Sequence, residues 1–98
     1  MLNLDKNFLQ CILSILKIHV PGYKVWAFGS RVHGEGLKKF SDIDLVVIND
    51  ERLDLKTLTT LKDAFSDSDL PFKVDIAEWT TLDEEFKKII LENYEVLQ

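Results

Sequence analysis

Apolar positions early in the chain recur with the period of a helix. From Leu4 to about His19, the residues Leu4, Phe8, Cys11, Ile12, Ile15 and Ile18 fall at helical spacing, and Pro21-Gly22 stops the element. A second set, Leu9, Leu13 and Leu16, widens the apolar arc, which suits either a helix mostly buried in a small domain or one that also meets a partner. Residues 23–28, YKVWAF, change to the aromatic and β-branched composition of a strand ending at Gly29. From Ser30 to Ser41 no period is sustained and Gly34 and Gly36 intervene, which predicts a short helical turn followed by a loop. Residues 43–48, IDLVVI, form a second strand, and the unbroken apolar run after Asp44 predicts burial on both faces at the centre of a sheet.

Asp54 stands where it can cap a helix carrying Leu55, Leu58, Leu61 and Phe65 inward, and Pro71 follows the polar stretch 66–69. FKVDIA, residues 72–77, reads as strand three. Thr81 and Glu84 fit a capping box for a last helix whose apolar face is Leu82, Phe86, Ile89 and Ile90, and residues 94–97 fit a short edge strand. The resulting order, α, β, short α, β, α, β, α, predicts an α/β or α+β fold, a mixed sheet of three to four strands flanked by helices. No repeat or linker divides residues 1–98, so a single domain is expected.

Composition narrows the partners. The 17 acidic and 12 basic residues give a net charge of -5, so long-range attraction to a nucleic acid is not expected. The one cysteine, Cys11, excludes an internal disulfide and a cysteine-based zinc cluster. With no apolar run near the roughly 20 residues that span a bilayer and no signal-peptide pattern, a cytoplasmic location is the expectation.

The chemistry is concentrated in residues 29–45, GSRVHGEGLKKFSDIDL. A strand sends alternate side chains to one face, so Asp42 and Asp44 point together while Ile43 and Leu45 point into the opposite layer. Two carboxylates that close repel unless solvent or a cation compensates them, and Mg²⁺ is the cation that suits hard oxygen ligands. Gly29 lets the backbone approach a phosphate and the Ser30 hydroxyl can donate to one. Asp75, between Val74 and Ile76 in strand three, needs a reason to be in an apolar strand. If strands two and three are neighbours, Asp42, Asp44 and Asp75 surround one site and suit two-metal phosphoryl transfer, with Asp75 orienting or deprotonating the attacking hydroxyl. Arg31 is placed either for a triphosphate contact or for a surface ion pair. Trp26 and Trp79 read as core aromatics sooner than as platforms for a base.

The stretch GSRVHGEGLKKFSDIDLVV resembles the signature of the DNA polymerase β nucleotidyltransferase superfamily, especially its minimal nucleotidyltransferases, in which Gly-Ser, a loop and Asp-x-Asp follow one another. Many relatives read Gly-Ser-Arg-Ala-Arg-Gly, and this chain matches at Gly29, Ser30, Arg31 and Gly34 but carries His33 for the second arginine. The resemblance implies a bare palm domain with phosphate binding at Gly29, Ser30 and Arg31 and metal binding at Asp42, Asp44 and Asp75. It implies two Mg²⁺ ions, and ATP as the substrate whose AMP is moved onto a hydroxyl. It further implies a small helical HEPN protein as partner in a hetero- or homo-oligomer, with this chain as antitoxin and a toxin tyrosine as acceptor. The rival reading is a non-catalytic nucleotide-binding module that neutralises or scaffolds its partner by contact.

Overall fold

The computed structural model describes residues 4–29 and 42–98. Helix α1 (Lys6–His19) begins at Asp5, whose carboxylate accepts from the Asn7 amide at 2.8 Å. Strands β1 (Lys24–Phe28) and β2 (Ile43–Ile48) follow, then α2 (Leu55–Ser66), β3 (Val74–Glu78), a 3-10 turn (Trp79–Thr81), α3 (Glu84–Glu92) and β4 (Glu95–Val96). The sheet order is β3-β2-β1-β4, with β2 and β3 parallel and the other pairs antiparallel. This is the expected mixed sheet, and the expected short last strand is its β4 edge. Helix α2 provides the crossover that a parallel pair requires.

Side-chain alternation divides the sheet into two faces. Val25, Ala27, Ile43, Leu45 and Val47 meet Ile12 and Leu16 of α1 and Leu61 and Phe65 of α2 in the principal core. Burying each such aliphatic side chain contributes about 1.5–3 kcal/mol, so this layer carries most of the stability. Leu45, Val46 and Val47 are all fully buried, as the apolar run of β2 requires. On the second face Trp26 stacks on Tyr94 at 4.1 Å between centroids and meets Trp79 edge-on at 5.6 Å, while Phe28 meets Phe86 edge-on at 5.8 Å. Both tryptophans thus pack against other aromatics.

Several sequence expectations are corrected. Ile18 is 72% exposed, because the buried stripe of α1 runs through Ile12 and Leu16. Leu55 is 78% exposed, and Leu53, in the turn before α2, enters the core in its place. Strand β3 begins at Val74, since Phe72 turns into the core ahead of it. Asp83 and not Thr81 caps α3: its carboxylate accepts from the Phe86 amide at 2.8 Å, while the Thr81 hydroxyl donates to the Glu78 carbonyl at 3.0 Å. Of the face assigned to α3 only Ile90 is buried, and Phe86 and Ile89 are 41% and 55% exposed. The expected helical turn and loop over 30–41 lie outside the described residues.

Candidate active site

Asp44 stands at the centre of the site because two registers meet on it. The antiparallel β1–β2 register sets it opposite Phe28, the residue before Gly29, and the parallel β2–β3 register sets it opposite Asp75. Gly29 takes φ 86°, the left-handed region that side chains with a Cβ rarely adopt, and a Cβ there would collide with Asp44 Oδ2. The glycine therefore serves both the turn and the close approach to the carboxylate. Asp42, exposed and one residue ahead of β2, lies two residues before Asp44, while Ile43 and Leu45 are buried in the opposite layer as the alternation requires.

Asp44 lies within the electrostatic reach of both other carboxylates. Burial pushes the Asp44 carboxyl above its ordinary value of 3.8, and the negative charges of Asp75 and then Asp42 push it the same way. Asp75 has a lysine partner, with Lys73 Nζ at 3.4 Å from Oδ1 and the two side chains 73% and 46% exposed. A pair so open to solvent is worth about 0–1 kcal/mol and yields easily to a stronger cation. Among the described residues no three His, Cys, Asp or Glu side chains stand close enough to form a metal-binding cluster. The donor chemistry nevertheless fits a hard divalent cation: three carboxylates, one of them made costly to ionise by burial and by its neighbours.

The register that pairs Asp44 with Asp75 has a lock that sequence reasoning missed. At the far ends of β2 and β3, the nearly buried Glu78 accepts from the Leu53 amide at 2.6 Å and from Asn49 Nδ2 at 3.3 Å. Asn49 in turn accepts from the Thr80 amide at 3.4 Å. These bonds tie the two strand ends to the start of the crossover, and a slip would leave a buried carboxylate unsatisfied. The available signal was a polar residue closing each apolar run. Ser30 and Arg31, the other two candidate phosphate contacts, lie outside the described residues.

Known proteins resemble this chain in sequence and in fold. The family model for polymerase β nucleotidyltransferases matches residues 10–98. Over 97 residues the chain is 47% identical to a Haemophilus influenzae protein named probable protein adenylyltransferase MntA, covering 99% of this chain and 84% of that protein. A toxin-antitoxin crystal structure with AMP-PNP superposes with a TM-score of 0.73 at 22% identity, over 92% of this chain and 72% of the other. The structure of a tri-AMPylated Shewanella oneidensis HEPN toxin in complex with MNT antitoxin gives a TM-score of 0.65 at 20% identity, over 92% and 68% of the two chains. At such identities the structural likeness establishes a common fold.

Proposed function

This chain belongs to the polymerase β nucleotidyltransferase family, and from that premise we propose that it transfers AMP from ATP to a hydroxyl group and releases pyrophosphate. The observation that carries the proposal is the register pairing of Asp44 with Asp75, with Gly29 against the other side of Asp44. Gly29, with Ser30 and Arg31 beyond it, holds the triphosphate through backbone and side-chain donors. Asp42, Asp44 and Asp75 would hold magnesium, two ions in the fullest form of this reading, which would supply neutralisation of the charge that develops in phosphoryl transfer. Asp75 orients the acceptor hydroxyl and takes its proton. The acceptor oxygen forms a bond to the α phosphorus as the bond to the bridging oxygen breaks, so the electron pair leaves with pyrophosphate.

The 47% identity to an adenylyltransferase supports AMP as the group moved. The likeness to a structure holding an AMPylated HEPN toxin supports a HEPN protein as partner, a tyrosine as acceptor and an antitoxin role. Among the described residues no helix is long and apolar enough to cross a membrane, and we place the reaction in the cytoplasm.

The test is transfer of label from ATP labelled at the α phosphate into proteins of a host lysate with Mg²⁺, comparing wild type with Asp44→Asn. A labelled protein made only by the wild type is the expected result. Labelling retained by Asp44→Asn refutes the carboxylate assignment. ATP binding without labelling favours neutralisation of the partner by contact alone.

A further inference from the structure

Partners across an antiparallel pair project to one side, so Phe28 stands beside Asp44 on the face of the sheet that carries the carboxylates. Phe28 is half-buried, and Phe86 of α3 meets it with ring centroids 5.8 Å apart and ring planes at 90°. Two residues earlier on the same face, Trp26 is packed between Tyr94 and Trp79. Phe86 instead keeps 41% of its surface open. Two rings at a right angle form a corner in which a third flat ring can lie on one and meet the edge of the other. Gly29, proposed above to hold phosphate, directly follows Phe28. Charge then decides which end of a nucleotide goes where. The first turn of α3 carries Glu84 and Glu85, and Lys87 is already engaged, with Nζ 3.5 Å from Glu84 Oε1 and 5.4 Å from the centroid of the Trp79 ring. Those glutamates repel a triphosphate, whereas an uncharged heterocycle can lie beside them.

We propose that the corner between Phe28 and Phe86 receives the base of the nucleotide, with Phe86 as the ring on which the base stacks, and that it selects purine nucleoside triphosphates by ring area. The inference rests on the nucleotidyl-transfer reading and adds to it a base site and a rule of selection. Stacking on an aromatic side chain accepts any base, because every base has a π-face, and it strengthens with overlap. A purine therefore holds better than a pyrimidine. Separating adenine from guanine strongly takes hydrogen bonds to the base edges, and a phenylalanine side chain has no donor or acceptor to offer. The corner thus reads the size of the base and leaves its edges unread.

The test is calorimetric titration of the full chain with ATP and Mg²⁺, with inorganic tripolyphosphate as the probe that has phosphates and no base. Phe86→Ala is expected to weaken ATP by about fivefold or more and tripolyphosphate by less than about twofold. Phe86→Trp, which keeps a π-face, is expected to hold ATP as the wild type does. Ile89→Ala, at a neighbouring site 55% exposed, is expected to change neither. Phe86→Leu, apolar but without a ring, takes the place of Phe86→Ala if that variant does not fold. GTP is expected to bind within about threefold of ATP, and CTP at least about threefold more weakly. Unchanged ATP affinity in the folded Phe86 variants overturns the base site while the nucleotidyl-transfer reading stands. An equal loss for ATP and tripolyphosphate also overturns it, because Phe86 then supports the sheet and not the base. A preference for ATP over GTP of about tenfold or more overturns selection by stacking alone. A wild type that does not bind ATP overturns the transfer reading and the base site with it.

Discussion

Replacing Gly29 by alanine sets a methyl group against the carboxylate it faces. Two costs follow, and they are read by different assays. The backbone at φ 86° must be held by a residue with a Cβ, which costs about 1–2 kcal/mol. For a domain of 98 residues each kcal/mol corresponds to roughly 4–8 °C, so a fall in Tm of about 4–16 °C is expected. The second cost falls on chemistry. The new methyl overlaps Asp44 Oδ2, so the carboxylate has to move, by a distance on the order of 1 Å, a misplacement that reduces a rate by about 10²-fold. That is about 2.7 kcal/mol on the barrier, more than the strain takes from stability. Thermal unfolding and the labelled-ATP assay, run well below the variant's Tm, measure the two effects separately. Gly22→Ala is the control: nothing lies within 4 Å of a Cβ there, and a change within about 0.5 kcal/mol is expected. Wild-type transfer by folded Gly29→Ala refutes the reasoning that this close approach positions Asp44.

Two further outcomes test other parts of the structure. Below pH 3.8 Asp44 is protonated in folded and unfolded chains alike; as pH rises the unfolded chain releases the proton first, so stability drops as pH passes through the raised folded value. Asp44→Asn is therefore expected to melt above the wild type at pH 7, with the gap closing as pH falls below 3.8, and the absence of any gap at pH 7 contradicts the crowding of the carboxylates. Leu61→Ala, at a fully buried site, is expected to cost 2–5 kcal/mol by denaturant unfolding, whereas Leu55→Ala, at a site 78% exposed, stays within about 0.5 kcal/mol; the reverse order contradicts the orientation of α2.

What the sequence made legible depended on whether its signal was local. The unbroken run from Leu45 to Ile48 announced a central strand, and β2 is indeed flanked by β1 and β3. Asp54 announced the start of α2, and its carboxylate accepts from the Thr57 amide at 2.8 Å; the Thr57 hydroxyl, and then this amide, hold it below the ordinary carboxylate range. The convergence of Asp75 on Asp44 was conditional on strand neighbours, a long-range property no local period carries, and the parallel register supplied it. Helix α3 was misread for the same reason in reverse. Its apolar periodicity suggested a buried face, but a nine-residue helix over an already aromatic sheet buries only Ile90. The Glu78–Asn49 lock was invisible because nothing in the sequence pairs residues 29 positions apart.

Among the described residues β3 is an open edge of the sheet, and its outer row of backbone donors and acceptors could template another strand. Lys73 and Asp75 are solvent-accessible charged residues at that edge, and charge there discourages edge-to-edge growth. A residue proposed to take a proton from the acceptor thus also helps keep copies of the chain apart. Neutralising Asp75 removes a carboxylate from the site and a safeguard from the edge in one change. A loss of activity in such a variant has two origins, and light scattering at rising protein concentration separates chemistry lost from protein lost to aggregation.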